Sequence, residues 1–153
     1  MVAVLRNCRQ AMARIMTSEL TKFVFPGELI SSKNGRRQRA FKSKTTGKKC
    51  LAPVKSKLAY EDEMRTRKLI QDNPQFVMQW RLAMLEKRFP VRIKFMIYRK
   101  SHRVFDYINI IQNLCDCIVK EGLLPDDSAK YLIPDFEPYQ VDAKHPRTEL
   151  TIV

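Results

Sequence analysis

The stretch from Val91 to Gly122 constrains the fold of this chain more than any other. Val91, Ile93, Phe95 and Ile97 alternate with Arg92 and Lys94, and Arg99 closes the run. Side chains of an extended strand point to alternate faces, so this run predicts a strand with one buried and one cationic face. From Asp106 to Glu121 the period changes. Tyr107, Ile110, Ile111, Leu114 and Ile118, with Cys115 and Cys117, recur at helical spacing and form one apolar stripe. Asn109, Asn113, Asp116 and Lys120 fall in a narrow arc on the opposite side. Asp106 stands at the helix start, as its cap or just before it, and Gly122 supplies the stop.

Other elements follow from local signals. Leu20 to Phe25 reads as a short strand closed by the Pro26-Gly27 turn. Leu58 to Gln71 reads as a helix with Glu61, Asp62 and Glu63 early and Arg65, Arg67 and Lys68 late, an order that suits the helix dipole. Asp72-Asn73-Pro74 offers a cap with proline at the first helical position. A second helix then runs to about Arg88, with Val77, Trp80 and Met84 at helical spacing and Pro90 as the stop. Trp80 reads as a core residue. Tyr131 to Ile133 reads as a short strand before Pro134, and Arg147 to Val153 as a terminal strand. There is no internal repeat.

A length of 153 residues fits one domain, here residues 20–153, behind an N-terminal extension at 1–19. The first 16 residues carry arginine and no acid. They read as an extension, or as the product of a start upstream of Met16, in preference to a transit peptide. No run approaches the roughly 18 apolar residues that a spanning helix needs. Four cysteines, Cys8, Cys50, Cys115 and Cys117, show no CxxC or zinc-ribbon spacing. Cys115 and Cys117 read as buried thiols, and a cytoplasmic setting is the expectation.

The net charge of +13 points to a polyanionic partner, and its distribution is uneven. Residues 1–60 carry 14 basic and 2 acidic side chains, residues 61–100 carry 10 and 5, and residues 101–153 carry 5 and 9. The segment 31–57 alone holds ten Lys/Arg and no acid, and reads as a basic loop or ribbon. Its only aromatic residue is Phe41, so phosphate contact is its evident mode, not base stacking. The same run lacks an accompanying apolar face, which disfavours a membrane-surface role. The acidic tail end reads either as a solvated face or as a cluster that holds a metal.

Four carboxylates carry the metal reading: Asp106, Asp116, Asp126 and Asp127. Asp106 and Asp116 share a helix face but stand about 15 Å apart along it. Asp126-Asp127 follow a turn that could return them beside the helix start. Hydrolysis of a phosphodiester needs an oxygen-lined site for Mg²⁺, which activates water and neutralises developing charge. On spacing alone the simpler reading is a helix cap at Asp106 and turn residues at Asp126-Asp127. His102 and His145 read as surface histidines in preference to a general base.

The segment Arg103-Val-Phe-Asp-Tyr-Ile-Asn, then Asp116, then Gly122-Leu-Leu-Pro-Asp-Asp-Ser resembles the RusA family of Holliday-junction resolvases. Asp106, Asn109, Asp116, Asp126 and Asp127 match that family's motif in type and spacing. Pro26-Gly27, Ser32-Lys33-Asn34, Arg37 and the closing Glu149-Leu-Thr-Ile-Val support the likeness, which covers roughly Thr21 to Val153. The resemblance implies a small α+β domain, a mixed β-sheet with helices packed on it, working as a homodimer. It further implies an endodeoxyribonuclease that nicks branched double-stranded DNA with Mg²⁺ or Mn²⁺ in recombination and repair, in a bacterial cell or a phage-infected host. Asp106 and Asp127 would be the foremost metal ligands, with Asp126 next, Asp116 behind them, and Asn109 orienting a ligand or water. Lys33, Asn34, Arg36, Arg37 and Arg39 would hold phosphates, with Arg99 and Arg103 near the scissile strand.

Two positions depart from the family pattern. Ile108 replaces the motif's second acid, and Gln112 stands where many members have lysine. The two lie four apart, the spacing at which helical side chains meet, so a charged pair has become a neutral one. The alternatives are a non-catalytic protein of the same fold that binds branched DNA and, from another class, a basic RNA-binding protein.

Overall fold

A computed structural model of the chain describes residues 21–31 and 36–153. The expected extension, with Cys8 and Met16, and the candidate DNA-binding residues Lys33 and Asn34 lie outside the described residues. In chain order the elements are β1 (Lys22–Pro26), β2 (Arg36–Lys42), β3 (Lys49–Lys55), α1 (Lys57–Gln71), α2 (Pro74–Met84), β4 (Val91–Arg99), α3 (Tyr107–Lys120), β5 (Leu132–Phe136), β6 (Gln140–Val141) and β7 (Arg147–Ile152). One sheet has the order β1-β7-β4-β5, with β6 also paired to β4. β7 runs antiparallel to both neighbours, whereas β4 and β5 are parallel. The sheet is therefore mixed, and the α+β expectation holds. A parallel pair needs a long crossover, and α3 provides it between β4 and β5. That is why an alternating strand is followed by an amphipathic helix.

The core lies between one face of this sheet and the helices. Phe23, Phe25, Ile93, Phe95, Ile97, Leu150 and Ile152 meet Phe76 and Trp80 of α2 and Ile110, Leu114 and Ile118 of α3. Phe23 lies 4.8 Å from the Trp80 ring and 5.0 Å from that of Phe76, edge-on or tilted. Each such side chain contributes about 1.5–3 kcal/mol through burial. Trp80 is fully buried and donates its indole N–H to the Leu123 carbonyl at 2.8 Å. Its reading as core is correct.

The other face of the sheet differs from expectation. The cations of β4 are present but not bare. Lys94 pairs with Glu137 at 2.9 Å and Arg92 lies 3.8 Å from Asp135. Lys22 reaches Glu149, and Arg147 reaches both Asp142 and Glu149. Four acids of the acidic segment thus neutralise cations across the sheet.

Local differences have local causes. Ser56, not a residue nearer Leu58, caps α1 by accepting from the Ala59 N–H at 3.2 Å. The acids expected to favour the α1 dipole fall beyond its first turn, and Asp62 and Glu63 are buried instead. α2, capped by Asn73 as expected, stops at Met84 and not near Arg88. Its end tightens into shorter turns, Leu85 N–H to Leu82 and Lys87 N–H to Met84, and exposed Leu85 buries too little to continue it. β5 runs through Pro134 to Phe136 because it ends the sheet path, where a missing N–H costs no ladder bond. Gly122, at φ +68°, ends α3 as expected, with the Leu123 N–H reaching back to Ile118. Among the described residues no helix is long and apolar enough to cross a membrane.

Candidate nucleic-acid interface

Chain leaving β4 at Arg99 turns back into α3 at Asp106. Asp106 is the cap itself: it has extended backbone angles, and Oδ1 accepts the Ile108 N–H at 3.0 Å. Oδ2 accepts from Asn109 Nδ2 at 2.7 Å. A carboxylate here satisfies one orphan N–H and faces the positive end of the helix dipole. Each oxygen keeps one lone-pair direction for another partner.

Asp106 and Asn109 line a cleft of about 480 Å³ together with Glu28, Arg99 and Arg103. Glu28 was not among the expected residues. Its carboxylate accepts the Lys100 N–H at 2.8 Å and lies 3.5 Å from Arg99 Nε, which fixes the end of β4 against the chain leaving β1. Arg99 also lies over the Phe105 ring, with its guanidinium carbon 4.8 Å from the centroid. Its charge is therefore largely compensated, while Arg103 is exposed. His102 is exposed and lies 3.4 Å from the Tyr139 hydroxyl, in keeping with a surface role.

The basic segment is an antiparallel ribbon rooted on this cleft. Ser31, before β2, and Ser56, after β3, both line the cleft. The ribbon pairs Arg36 with Lys55 at its base and Lys42 with Lys49 at its end. The turn closes through Ser43–Lys48 backbone pairing, with Gly47 at φ +66°, a conformation that favours glycine. Arg39, Lys42, Lys44, Lys48 and Lys49 are exposed, and they make no ion pair among the described residues. Lys42 directly opposite Lys49 is a like-charge pair, unfavourable in the free protein and relieved by an anion. Arg36 and Arg37 lie on β2.

A buried polar seam positions the cleft from behind. The period Ala59, Asp62, Glu63, Thr66, Ile70 is the buried stripe of α1. Asp62 accepts from the Ile30 N–H at 2.9 Å, from Arg65 at 2.5 Å and from Asn113 at 3.3 Å. Glu63 pairs with Lys120, and Glu121 with Arg67 at 2.6 Å. Asn113 and Lys120 of the polar arc of α3 thus meet α1, and Asn113 is 1% exposed. Helical spacing in α1 carried this signal, hidden because its stripe holds two acids.

The expected metal acids separate into two places. Asp106 lines the cleft, whereas Asp116, Asp126 and Asp127 do not. Asp116 and Asp127 lie close enough to Cys115 to raise its thiol: burial, then Asp127, then Asp116 push it to about 12. Asp126 sits below the usual carboxylate range, held by the Ser128 hydroxyl and then by the N–H groups of Asp127 and Ser128. Among the described residues no group of three or more His, Cys, Asp or Glu side chains is gathered for a metal. The cleft offers hard oxygen donors in Asp106 and the Asn109 carboxamide, with Glu28 engaged by the Lys100 N–H and Arg99. Mg²⁺ commonly takes one or two carboxylates and completes its shell with water and substrate phosphate, so this smaller set fits it. Ile108 is 64% exposed, and Gln112 keeps its Oε1 buried without a hydrogen-bond partner among the described residues. No family model matches this chain, and a search of curated proteins finds no match to it.

Proposed function

We propose that this protein is a structure-selective endodeoxyribonuclease of RusA type, acting on branched double-stranded DNA such as a Holliday junction in recombination and repair. The observation that carries this reading is the ribbon, whose exposed cations make no ion pair among the described residues and whose Lys42 faces Lys49, rooted on the cleft that holds Asp106 and Asn109. Ribbon cations and Arg103 hold phosphates on either side of the cleft. Asn109 fixes the rotamer of Asp106 through the 2.7 Å hydrogen bond, so the carboxylate is pre-set at the cleft without reorganising. Asp106 and Asn109 would hold Mg²⁺ or Mn²⁺ there, and the bound ion would neutralise phosphate charge and activate water. Two symmetric nicks need two sites related by a twofold axis, so a homodimer belongs to this reading. So does a cytoplasmic setting, in a bacterial cell or a phage-infected host.

A second reading is a non-catalytic protein that binds branched DNA. It is favoured by exposed Ile108, which offers no oxygen, and by the absence of Asp126 and Asp127 from the cleft lining. A nicking assay on a synthetic four-way junction with Mg²⁺ or Mn²⁺ separates the two. Nuclease activity predicts paired nicks that disappear in Asp106→Asn. Tight binding with no metal-dependent product supports the second reading.

A further inference from the structure

Phe41 is the sole aromatic residue between Phe25 and Tyr60, and nothing in the core claims it. It is 49% exposed, whereas Phe23, Phe25, Phe76 and Phe95 are all buried in the core. Its cross-strand partner is Cys50 and it shares its ribbon face with Arg39, whereas Lys42 and Lys49 stand on the opposite face, and the turn lysines Lys44 and Lys48 follow. An exposed ring on an arm with that charge has one obvious class of occupant: a flat, uncharged surface embedded in a polyanion. A nucleic-acid base is such a surface. The ribbon holds Phe41 about 17 Å beyond Arg36 at its base, at strand rise per residue. DNA held at the cleft therefore has Phe41 within reach, and a major groove is wide enough to admit a two-stranded ribbon.

We propose that Phe41 is a wedge that stacks on the base-pair face left open at the branch point, while the ribbon cations hold the flanking phosphates. The inference rests on the proposed DNA-binding function and names the feature of the substrate that is read. Inserting an apolar side chain into intact duplex requires unstacking a base step, which costs free energy. At a branch point the stack is already interrupted, so an open base-pair face is engaged at less cost than an intact step. The same ring contributes little on linear duplex and fully at a junction, so it confers structure selectivity without reading sequence. A single aromatic is too little for a stacking platform along a strand, and it is sufficient for one open step.

Equilibrium binding of the full chain to a four-way junction and to linear duplex of the same arms tests this, with Phe41→Ala, Phe41→Trp and Leu51→Ala. Leu51 is the matched control, being 67% exposed on the opposite ribbon face and aliphatic. Phe41→Ala is expected to weaken junction binding about tenfold and duplex binding less than about twofold, with Phe41→Trp restoring it. Leu51→Ala is expected to change neither. A 2-aminopurine at the branch point should change emission with the wild type and not with Phe41→Ala. Wild-type junction preference that survives in Phe41→Ala overturns the wedge and leaves the proposed function standing. So does an equal loss on junction and duplex, or a similar loss in Leu51→Ala. A wild-type protein without junction preference overturns the proposed function together with the wedge.

Discussion

Asn109 Nδ2 donates to Asp106 Oδ2 at 2.7 Å, while the other oxygen of the same carboxylate caps α3. One side chain therefore serves helix and cleft, and the two roles separate by substitution. Asp106→Ser keeps a capping oxygen but removes the charge. It is expected to retain thermal stability, whereas Asp106→Ala loses about 1 kcal/mol. Both are expected to lose nicking. Equal stability of the serine and alanine variants would contradict the capping role.

Asp62 joins the chain leaving β1, α1 and α3 through Ile30, Arg65 and Asn113. Asp62→Ala leaves the Ile30 N–H and the Asn113 amide without their acceptor in a buried seam. A loss of about 2–4 kcal/mol in urea unfolding is expected, near the lower range for breaking buried charge pairs because Arg65 still reaches water. A change below about 0.5 kcal/mol would show that the seam rearranges freely.

How far the residues alone disclose this fold depends on what each element packs against. β4 and the apolar stripe of α3 are evident because apolar residues face an apolar core. Part of the polar arc of α3 is buried against the polar stripe of α1, where Asn113 meets Asp62 out of water and Lys120 meets Glu63. Pairing across elements is invisible in a single sequence, and it also turns the acids of 101–153 from one cluster into partners of Lys22, Arg92, Lys94 and Arg147. At the cleft, Asp106 and Asn109 are evident from helix-start spacing. Glu28 is not, because its role arises from a contact with Lys100, far along the chain.

Acid should weaken the open sheet face. Burial raises the Glu149 carboxyl, but hydrogen bonds from Lys22 and Arg147 outweigh it and hold the group below its usual range. Asp142 is held low by the His145 N–H and then by Arg147. A carboxylate depressed in the folded state contributes stability above its unfolded pKa, near 4, and that contribution is lost as pH falls through the folded value. Unfolding followed from pH 7 to pH 2 should show a loss below about pH 4, smaller in Glu149→Gln. An identical acid limb in that variant would contradict the assignment.

Cys115 and Cys117 are buried, and the Cys115 thiol is pushed to about 12, so neither should react while folded. In a Cys8→Ser background at pH 8, a thiol reagent should label the half-buried Cys50 alone, and three thiols after unfolding. Rapid labelling of all three in the native protein would place α3 differently.

The most direct test is competitive binding of the full chain to a four-way DNA junction, the matching linear duplex and an RNA duplex, across a salt series. The ribbon and cleft predict preference for the junction and an affinity that falls steeply with salt, less steeply when Lys42, Lys44, Lys48 and Lys49 are replaced by glutamine. Equal binding to junction and linear DNA, preference for RNA, or a salt slope unchanged by those replacements would contradict it.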